Sequence, residues 1–279
     1  MNVLELIKIG SSKLKQSNIS SYLLDSEVLL SKVLKKKREE VLINLDQEIN
    51  IESVLEFNNL ISRRVLKEPI AYILKEKEFW SKLFEVNTDT LIPRPETELM
   101  VENLVKIYKK KSINILDIGT GSGCIIVSLL SELRNSYGTG IDISPKTLLI
   151  AKSNAVKHKV ENRLKLSKKS LNYLFTRKFD LIVSNPPYIK RVNLKNLNDD
   201  IKYYEPIIAL DGGNDGLDVI KKLIYKAEDI LKFNGLLALE IGNKQFRKIS
   251  NILVKRNFKI EYLIKDYNNN IRCLITRKI

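Results

Sequence analysis

The first seventy-five residues carry apolar positions at the three- and four-residue spacing that is typical of amphipathic helices. The clearest example runs from Ile51 to Leu66 and is followed by Pro69, which cannot continue a helix. Four of its apolar residues fall on one face: Val54, Phe57, Ile61 and Val65. Earlier helices are expected around Leu4–Leu14 and over Ser20–Leu34, with Ser20 as the cap of the second. Residues 1–75 are therefore predicted to form a small helical bundle.

Residues 76–98 read as a connecting segment. Glu78-Phe79-Trp80 and Phe84-Glu85-Val86 have the apolar and aromatic composition of a short hairpin. The run Leu91-Ile92-Pro93-Arg94-Pro95 follows, and its two prolines exclude regular strand pairing. A helix is expected to begin at Glu96 and reach Lys106.

From Ile113 onward, short apolar runs alternate with helical segments. The predicted strands are Ile113–Ile118, Tyr137–Ile143, Arg163–Ser167, Phe179–Ser184, Gly235–Ile241, Phe258–Ile264 and Ile271–Thr276. The predicted helices are Cys124–Leu133, Pro145–Lys157 and Gly216–Leu231. Such alternation predicts an α/β domain with a mostly parallel sheet covered on both faces. The last two strands are separated by only about six residues, too few for a parallel crossover, so they should form an antiparallel hairpin.

A glycine-rich turn lies between the first of these strands and the first helix. It reads Asp117-Ile118-Gly119-Thr120-Gly121-Ser122-Gly123, and its glycines allow a tight turn and close approach of a ligand to the backbone. Asp142 ends the next strand, where a carboxylate can accept hydrogen bonds from two ribose hydroxyls. We interpret the pair as the site of an adenosine ligand.

The spacing of the glycines discriminates between two such ligands. A dinucleotide fingerprint has the pattern G-x-G-x-x-G, whereas here the third glycine comes one residue early. Asp117, at the end of its strand, also suits a sulfonium or ammonium ligand better than a pyrophosphate. S-adenosyl-L-methionine is therefore favoured over a dinucleotide.

The fourth of these strands ends in Asn185-Pro186-Pro187-Tyr188. Neither proline has an N–H, so the segment leaves the sheet with its carbonyl groups free and rigidly aimed. The Asn185 side-chain oxygen and the Pro186 carbonyl can accept the two N–H bonds of a planar amide-type nitrogen, and Tyr188 can pack on it. These acceptors would fix the nitrogen lone pair and favour the positive charge that develops during methyl transfer. We predict Asn185, Pro186 and Tyr188 as catalytic and Asn185–Tyr188 as the acceptor site.

Composition narrows the setting. The chain of 279 residues contains no apolar run long enough to span a membrane, and its first residues lack the pattern of a signal peptide. Two cysteines, Cys124 and Cys273, provide neither a disulfide framework nor metal-ligand spacing, so no metal is expected. The single histidine, His158, lies among lysines and is expected at the surface. We expect a cytoplasmic monomer that makes no contact with a membrane.

The net charge of +15 is concentrated after residue 88. Residues 1–88 hold 14 Lys and Arg against 13 Asp and Glu, which leaves a charge of +14 on the remainder. Because the basic residues are scattered, compositional drift explains them better than a binding surface does. Weak contact between the C-terminal domain and nucleic acid stays open.

Together these motifs resemble those of the release-factor glutamine methyltransferases, the HemK/PrmC family. The resemblance extends from about residue 70 to the C-terminus, with a weaker helical match before it. It also includes the runs Ile92-Pro93-Arg94-Pro95-Glu96-Thr97-Glu98, Tyr204-Glu205-Pro206 and Leu210-Asp211-Gly212-Gly213-Asn214-Asp215-Gly216-Leu217. The first run is much more specific than Asn-Pro-Pro-Tyr, which enzymes that methylate amino groups of nucleic acids share.

The resemblance implies a class I methyltransferase domain, with a Rossmann-like sheet of seven strands, over residues 99–279. The bundle of residues 1–75 would recognise the substrate protein, and residues 76–98 would connect the two. The acceptor would be the glutamine in the Gly-Gly-Gln motif of peptide chain release factors, methylated at its side-chain nitrogen. The cofactor would be held by Gly119, Thr120, Gly121, Ser122, Gly123, Asp142, Ser170 and Asn185. Arg94 and Glu98 would line the cofactor cleft or brace its loop.

The chain departs from the family pattern at two places. After the third strand, the family usually has Ser-Asp followed by an aromatic or apolar residue near the adenine. Here the stretch is Lys168-Lys169-Ser170-Leu171, so Ser170 would stand where a ring-stacking side chain is often found. In Asp266-Tyr267-Asn268-Asn269-Asn270-Ile271-Arg272, Asn268 replaces a glycine, and asparagine tolerates a positive φ.

Three other functions compete with this prediction. An adenine-N6 methyltransferase of DNA or RNA would use the same motif on a flipped base, and the basic C-terminal part slightly favours it. A non-enzymatic RNA-binding module would need clustered basic and aromatic residues, and an oxidoreductase would need different glycine spacing.

Overall fold

The computed structural model describes residues 1–176, 178–266 and 268–279. The chain divides into two compact units. The first comprises residues 1–76 and 198–204, and the second comprises residues 77–197 and 205–279.

The first unit is helical. Its helices are α1 (Val3–Gln16), α2 (Tyr22–Leu34), α3 (Arg38–Ile43), α4 (Ile51–Val65), α5 (Ile70–Leu74) and, from the later segment, α9 (Asp199–Tyr204). Phe57 and Ile61 of α4 are fully buried among apolar residues of α1 and α2, as the helical spacing predicts. A buried ion pair joins Arg64 Nε to Asp25 Oδ2 at 2.7 Å.

The predicted cap of α2 is wrong by one residue. Ser21, and not Ser20, occupies the N-cap position, and its side chain makes no capping hydrogen bond. By contrast, α1 begins with a reciprocal pair that the sequence analysis did not identify. Asn2 Oδ1 accepts from the Glu5 N–H at 2.9 Å, and Glu5 Oε2 accepts from the Asn2 N–H at 3.0 Å.

The hairpin consists of β1 (Glu76–Phe79) and β2 (Lys82–Glu85). Its two loop residues, Trp80 and Ser81, have φ values of 54° and 53°. Positive φ at both positions matches the strand twist of a two-residue hairpin, although neither residue is glycine.

The main sheet of the second unit has seven strands. They are β3 (Asn114–Ile118), β4 (Tyr137–Asp142), β5 (Leu164–Lys168), β6 (Phe179–Ser184), β7 (Leu231–Glu240), β8 (Phe258–Lys265) and β9 (Ile271–Lys278). Their spatial order is β5-β4-β3-β6-β7-β9-β8. The first five are parallel, and β9 is antiparallel to both β7 and β8. The mostly parallel sheet and its closing antiparallel hairpin are confirmed.

Helices cover both faces of this sheet. They are α6 (Pro95–Tyr108), α7 (Cys124–Glu132), α8 (Pro145–Lys157), α10 (Asp218–Ile230) and α11 (Phe246–Lys255). Neighbouring residues of β3 face opposite cores, with Ile115 packed in the core that contains α6 and α7, and Leu116 in the core that contains α10 and α11. From β3 the next strands along the chain, β4 and β5, are added on one side, and β6 and β7 are added on the other. In such sheets the crevice for a ligand lies at this switch, at the carboxyl ends of β3 and β6.

Several predicted details differ from the structure. Helix α11 was not predicted, although Phe246, Ile249 and Leu253 have helical spacing. Helix α10 begins at Asp218, two residues later than expected. His158 is half-buried, because its Nε2 lies 3.0 Å from the Leu83 carbonyl oxygen and its ring packs on Phe84. Burial lowers the pKa of His158.

In the turn between β8 and β9, Asn269 has a positive φ of 63°. Tyr267, which belongs to the same predicted motif, lies outside the described residues. Among the residues that the structure describes, no helix combines the length and apolar character needed to cross a bilayer.

Candidate functional site

The glycine turn links β3 to α7 at the crevice. Gly119, Gly121 and Gly123 have φ values of 72°, 58° and 80°, which side-chain-bearing residues rarely adopt. The N–H groups of Gly119 and Thr120 both donate to the Ile141 carbonyl oxygen, at 2.9 and 3.0 Å. The turn is therefore fixed against the end of β4.

Asp142 ends β4 beside this turn. Its Oδ2 accepts a hydrogen bond from the Gly121 N–H at 3.1 Å, and its Oδ1 accepts one from the Ser144 N–H at 3.0 Å. Each carboxylate oxygen has further lone pairs, and Asp142 lines the cavity described below. The carboxylate is thus oriented by backbone donors and available to two hydroxyl groups.

Asn154 of α8 secures the same turn from behind, a role that sequence reasoning missed. It is fully buried, and its Nδ2 donates to the carbonyl oxygens of Ser122 at 2.9 Å and Glu85 at 3.0 Å. Its Oδ1 accepts from the Glu85 N–H at 2.7 Å. One carboxamide therefore ties the turn to the hairpin strand β2.

Asp117 is fully buried at the end of β3. Desolvation raises its pKa to about 7, opposed by a hydrogen bond that the Thr120 hydroxyl donates to Oδ2 at 2.8 Å. Within the described residues, Asp117 Oδ1 has no hydrogen-bond partner. Asp117 is not among the residues that line the cavity, so it is positioned to act on a ligand by charge and not by contact.

The proline corner follows β6, the strand next to β3. The Ser184 hydroxyl donates to the Ile118 carbonyl oxygen at 2.6 Å, which ties the ends of the two strands together. Asn185, Pro186 and Pro187 line the same cavity as the glycine turn. No donor from residues 1–176, 178–266 or 268–279 reaches the Pro186 carbonyl oxygen, so it can accept a ligand's N–H.

Tyr188 is half-buried at the end of the proline corner. It is not among the residues that line the cavity, and its hydroxyl donates to Glu240 Oε1 at 3.3 Å. Burial raises the pKa of Tyr188, and its ring packs against the core that contains α10 and α11. The hydroxyl is therefore fixed by Glu240, and the packing of the ring on the acceptor stays a prediction.

The run Leu210–Leu217 braces the corner from outside. The Ile189 N–H donates to the Leu210 carbonyl oxygen at 3.1 Å, and the Gly212 N–H donates to the Ile189 carbonyl oxygen at 2.8 Å. A Cβ on Gly212 would come within 2.8 Å of the Tyr188 Cα and 2.9 Å of the Pro187 carbonyl oxygen. Only glycine allows this close approach of the two backbones.

Arg94 both lines the cavity and forms an ion pair with Glu205. The Glu205 side chain is buried, and its Oε2 also accepts from the Ile92 N–H at 3.1 Å. Glu205 therefore holds the Ile-Pro-Arg-Pro segment in place through one backbone and one side-chain donor. Glu98, in contrast, does not line the cavity.

The shared cavity has a volume of about 920 Å³. Most of the predicted cofactor residues line it: Gly119, Thr120, Gly121, Ser122, Asp142, Ser170 and Asn185. Gly123 does not. It is the N-cap of α7, and a Cβ at this position would lie 3.3 Å from Ala151 Cβ. Sequence reasoning missed the apolar lining residues Ile143, Leu171 and Ile207 and the basic residue Lys169.

The order of the sheet, the glycine turn and the acid that ends β4 define a class I methyltransferase fold. A methyltransferase from Pyrococcus furiosus has the same fold, with a TM-score of 0.55 at 20% identity, over 79% of this chain and 98% of that one. Family models for the PrmC N-terminal domain and for the methyltransferase small domain match residues 5–74 and 95–201.

Sequence identity to two other relatives is higher than the 20% found for this solved structure. The chain is 38% identical to the release factor glutamine methyltransferase of Buchnera aphidicola, over 100% of this chain and 99% of that protein. A bifunctional methyltransferase of Rickettsia conorii is 35% identical over 98% of this chain, which spans only 57% of that longer relative. The chain belongs to the release factor glutamine methyltransferase family.

Proposed function

We propose that this protein transfers a methyl group from S-adenosylmethionine to the side-chain amide nitrogen of the glutamine in the Gly-Gly-Gln motif of peptide chain release factors. One observation carries the proposal: the glycine turn of β3 and the proline corner of β6 line a single cavity. Membership of the family supports the choice of acceptor.

The residues present suit the cofactor. Two carboxylates, Asp142 and the buried Asp117, favour a cation that also carries hydroxyl groups. Ser122 lines the cavity, although its hydroxyl oxygen is buried and has no hydrogen-bond partner among the described residues. Ile143 and Leu171 supply apolar surface for an aromatic ring, where the sequence offered only Ser170.

The corner supplies what a poorly nucleophilic amide requires. S-adenosylmethionine would supply the methyl group on an electron-poor sulfonium. Asn185 Oδ1 and the Pro186 carbonyl oxygen would accept the two N–H bonds of the glutamine, which fixes the plane of its amide and stabilises positive charge on its nitrogen. No strong base is required before attack, because the proton leaves afterwards. Positioning therefore supplies much of the rate.

The partner assignments follow from the same proposal. The helical unit would recognise the release factor. The enzyme would be cytoplasmic and would meet its substrate in the cytoplasm. An adenine-N6 methyltransferase remains the competing function, because a flipped adenine also presents a planar amino group. Weak contact with nucleic acid through the basic C-terminal part stays a prediction, as does the monomeric state.

One experiment separates the candidates. The protein is incubated with methyl-labelled cofactor and, separately, with release factor, duplex DNA or tRNA. We expect label on the release factor alone, and none after the Gly-Gly-Gln glutamine is changed to alanine. Label on DNA or tRNA but not on release factor would refute the proposal.

The role of the corner has its own test. Asn185→Ala should abolish transfer while the cofactor dissociation constant changes less than about threefold. Asn196→Ala, an exposed asparagine outside the cavity, serves as the control. Loss of cofactor binding by a folded Asn185→Ala variant would contradict the assignment of Asn185 to the acceptor.

A further inference from the structure

Glu240 ends β7 immediately behind the proline corner. It is 2% exposed, does not line the cavity, and was not identified from the sequence. The Thr97 hydroxyl donates to its Oε2 at 2.5 Å, and the Tyr188 hydroxyl donates to its Oε1 at 3.3 Å. Asn185 Nδ2 in turn lies 3.5 Å from Thr97 Oγ1. Glu240 is thus connected to both ends of the corner, directly to Tyr188 and through Thr97 to Asn185.

The donors and acceptors in this chain have a fixed direction. The Thr97 hydroxyl has a single proton, and it donates that proton to Glu240 Oε2. Thr97 Oγ1 can then only accept from Asn185, which must present its NH2 group to it. The Asn185 oxygen is left for the cavity, which Thr97 and Asn185 both line.

This direction matters because the two ends of a carboxamide differ only in chemistry and are nearly identical in shape. With its oxygen toward the cavity, Asn185 can accept an N–H bond from an amide acceptor. Turned by 180°, it would present N–H groups to N–H groups, which repels the acceptor and gives no stabilisation to positive charge on nitrogen.

We propose that Glu240 is a positioning residue that acts through Thr97 to hold the Asn185 side-chain oxygen toward the acceptor nitrogen. The inference rests on the proposed function for the identity of the acceptor. The orientation of Asn185 itself depends only on the hydrogen bonds of the protein.

Burial raises the pKa of Glu240, and the hydrogen bonds from Thr97 and Tyr188 together with the charge of Arg272 on β9 oppose this rise. Arg272 is itself held by Asp266 at 3.0 Å, so it remains behind the corner without bonding Glu240 directly. Thr97 and Tyr188 are the two described groups that donate to the carboxylate.

Four variants test the relay in single-turnover methylation of a release factor. Glu240→Met, which removes the acceptor, and Thr97→Val should each lower the transfer rate at least tenfold, with the cofactor dissociation constant unchanged within threefold. Thr97→Ser keeps the hydroxyl and should retain at least a third of the wild-type rate. Because the two residues act in series, the double variant Thr97→Val/Glu240→Met should be no slower than the slower single variant within threefold.

Purely structural damage predicts a different pattern. Losses would then multiply in the double variant, and cofactor affinity would fall with the rate. Glu261→Met, which removes a half-buried glutamate of β8 that is bonded to Arg277 of β9, is the matched control for loss of a paired carboxylate. Multiplicative losses, or a Glu240→Met variant with more than a third of the wild-type rate, would overturn the proposal.

A second measurement needs no substrate. The side-chain amide signals of Asn185, identified by their loss in Asn185→Ala, should show nuclear Overhauser contacts to Thr97 in the wild-type protein. These contacts should weaken at least twofold in Glu240→Met, which offers Thr97 no acceptor. Unchanged contacts would refute the relay even if the wild-type protein fails to methylate release factors, whereas that failure with weakened contacts would refute only the proposed function.

Discussion

Replacing Asp117 with asparagine should stabilise the protein at neutral and alkaline pH. The side chain is fully buried, and burial raises its pKa to about 7 from an ordinary value of 3.8. The folded chain therefore holds a proton between pH 4 and pH 7 that the unfolded chain has already released. Since the folded state binds more protons in this range, the free energy of unfolding falls as the pH rises from about 4 to about 7.

The size of the effect follows from the two pKa values. Their difference of about three pH units corresponds to about 4 kcal/mol, because each unit is worth about 1.4 kcal/mol. Of this, about 2.5 kcal/mol develops between pH 5 and pH 8. Asparagine has nearly the same shape, cannot ionise in this range, and can still accept the hydrogen bond from the Thr120 hydroxyl. The variant should be free of this pH-dependent loss.

Urea unfolding at several pH values measures the difference directly. The free energy of unfolding of Asp117→Asn minus that of the wild type should grow by about 2.5 kcal/mol from pH 5 to pH 8. Subtraction removes the contributions of all other titrating groups. Asp229→Asn, an exposed aspartate on α10, controls for the loss of one negative charge.

A flat difference, within about 0.5 kcal/mol over this range, would refute the reasoning and indicate that the Asp117 carboxylate is hydrated. A related measurement tests its effect on a ligand. A cation bound beside the turn favours the ionised carboxylate, so wild-type affinity for S-adenosylmethionine should rise from pH 6 to pH 8. The affinity of Asp117→Asn should lack this rise.

Three further predictions concern the cavity. Gly121→Ala forces a side-chain-bearing residue to a φ of 58°, which should cost about 1 kcal/mol of stability and weaken cofactor binding at least tenfold, as thermal unfolding and calorimetry would show. Leu171→Ala removes apolar lining and should weaken cofactor binding by about tenfold, corresponding to about 1.4 kcal/mol in a titration. Glu205→Gln leaves Arg94 without its ionic partner and should lower the free energy of unfolding by about 2 kcal/mol, measured in urea, while an unchanged value would show that the pair contributes nothing.

Most of the second unit could be predicted from local pattern, because short apolar strands and glycine or proline breaks determine it. The order of β3, β4 and β6 also follows from parallel connectivity, which brings the turn and the corner to one edge. Helix α11 shows the limit of this approach. Its four buried or half-buried apolar residues, Phe246, Ile249, Ile252 and Leu253, are interrupted by charged and polar residues, so only a count of their spacing identifies the helix.

The site was predicted where function depends on backbone shape and missed where it depends on distant partners. The glycines and prolines can be recognised from residue type alone, because each restricts or frees the backbone in a known way. Glu205 and Glu240 are separated from the residues they hold by 111 and 143 positions, and no local pattern connects them. The bond between the Tyr188 hydroxyl and Glu240 was missed for the same reason, since the two residues are 52 positions apart.

The two abnormal carboxylates share one arrangement. Asp117 and Glu240 are both excluded from the cavity lining, and each accepts a hydrogen bond from a threonine that lines it, Thr120 or Thr97. Burial raises the pKa of both, and when they are ionised they place negative charge one residue behind the surface that the ligands would touch. Such charge can stabilise a cationic donor and a nitrogen that becomes positive, because Coulomb attraction acts across a few ångströms of protein. A carboxylate in direct contact with the acceptor would compete with Asn185 for the N–H groups of the acceptor. A threonine hydroxyl between the carboxylate and the acceptor leaves those N–H groups to the Asn185 oxygen.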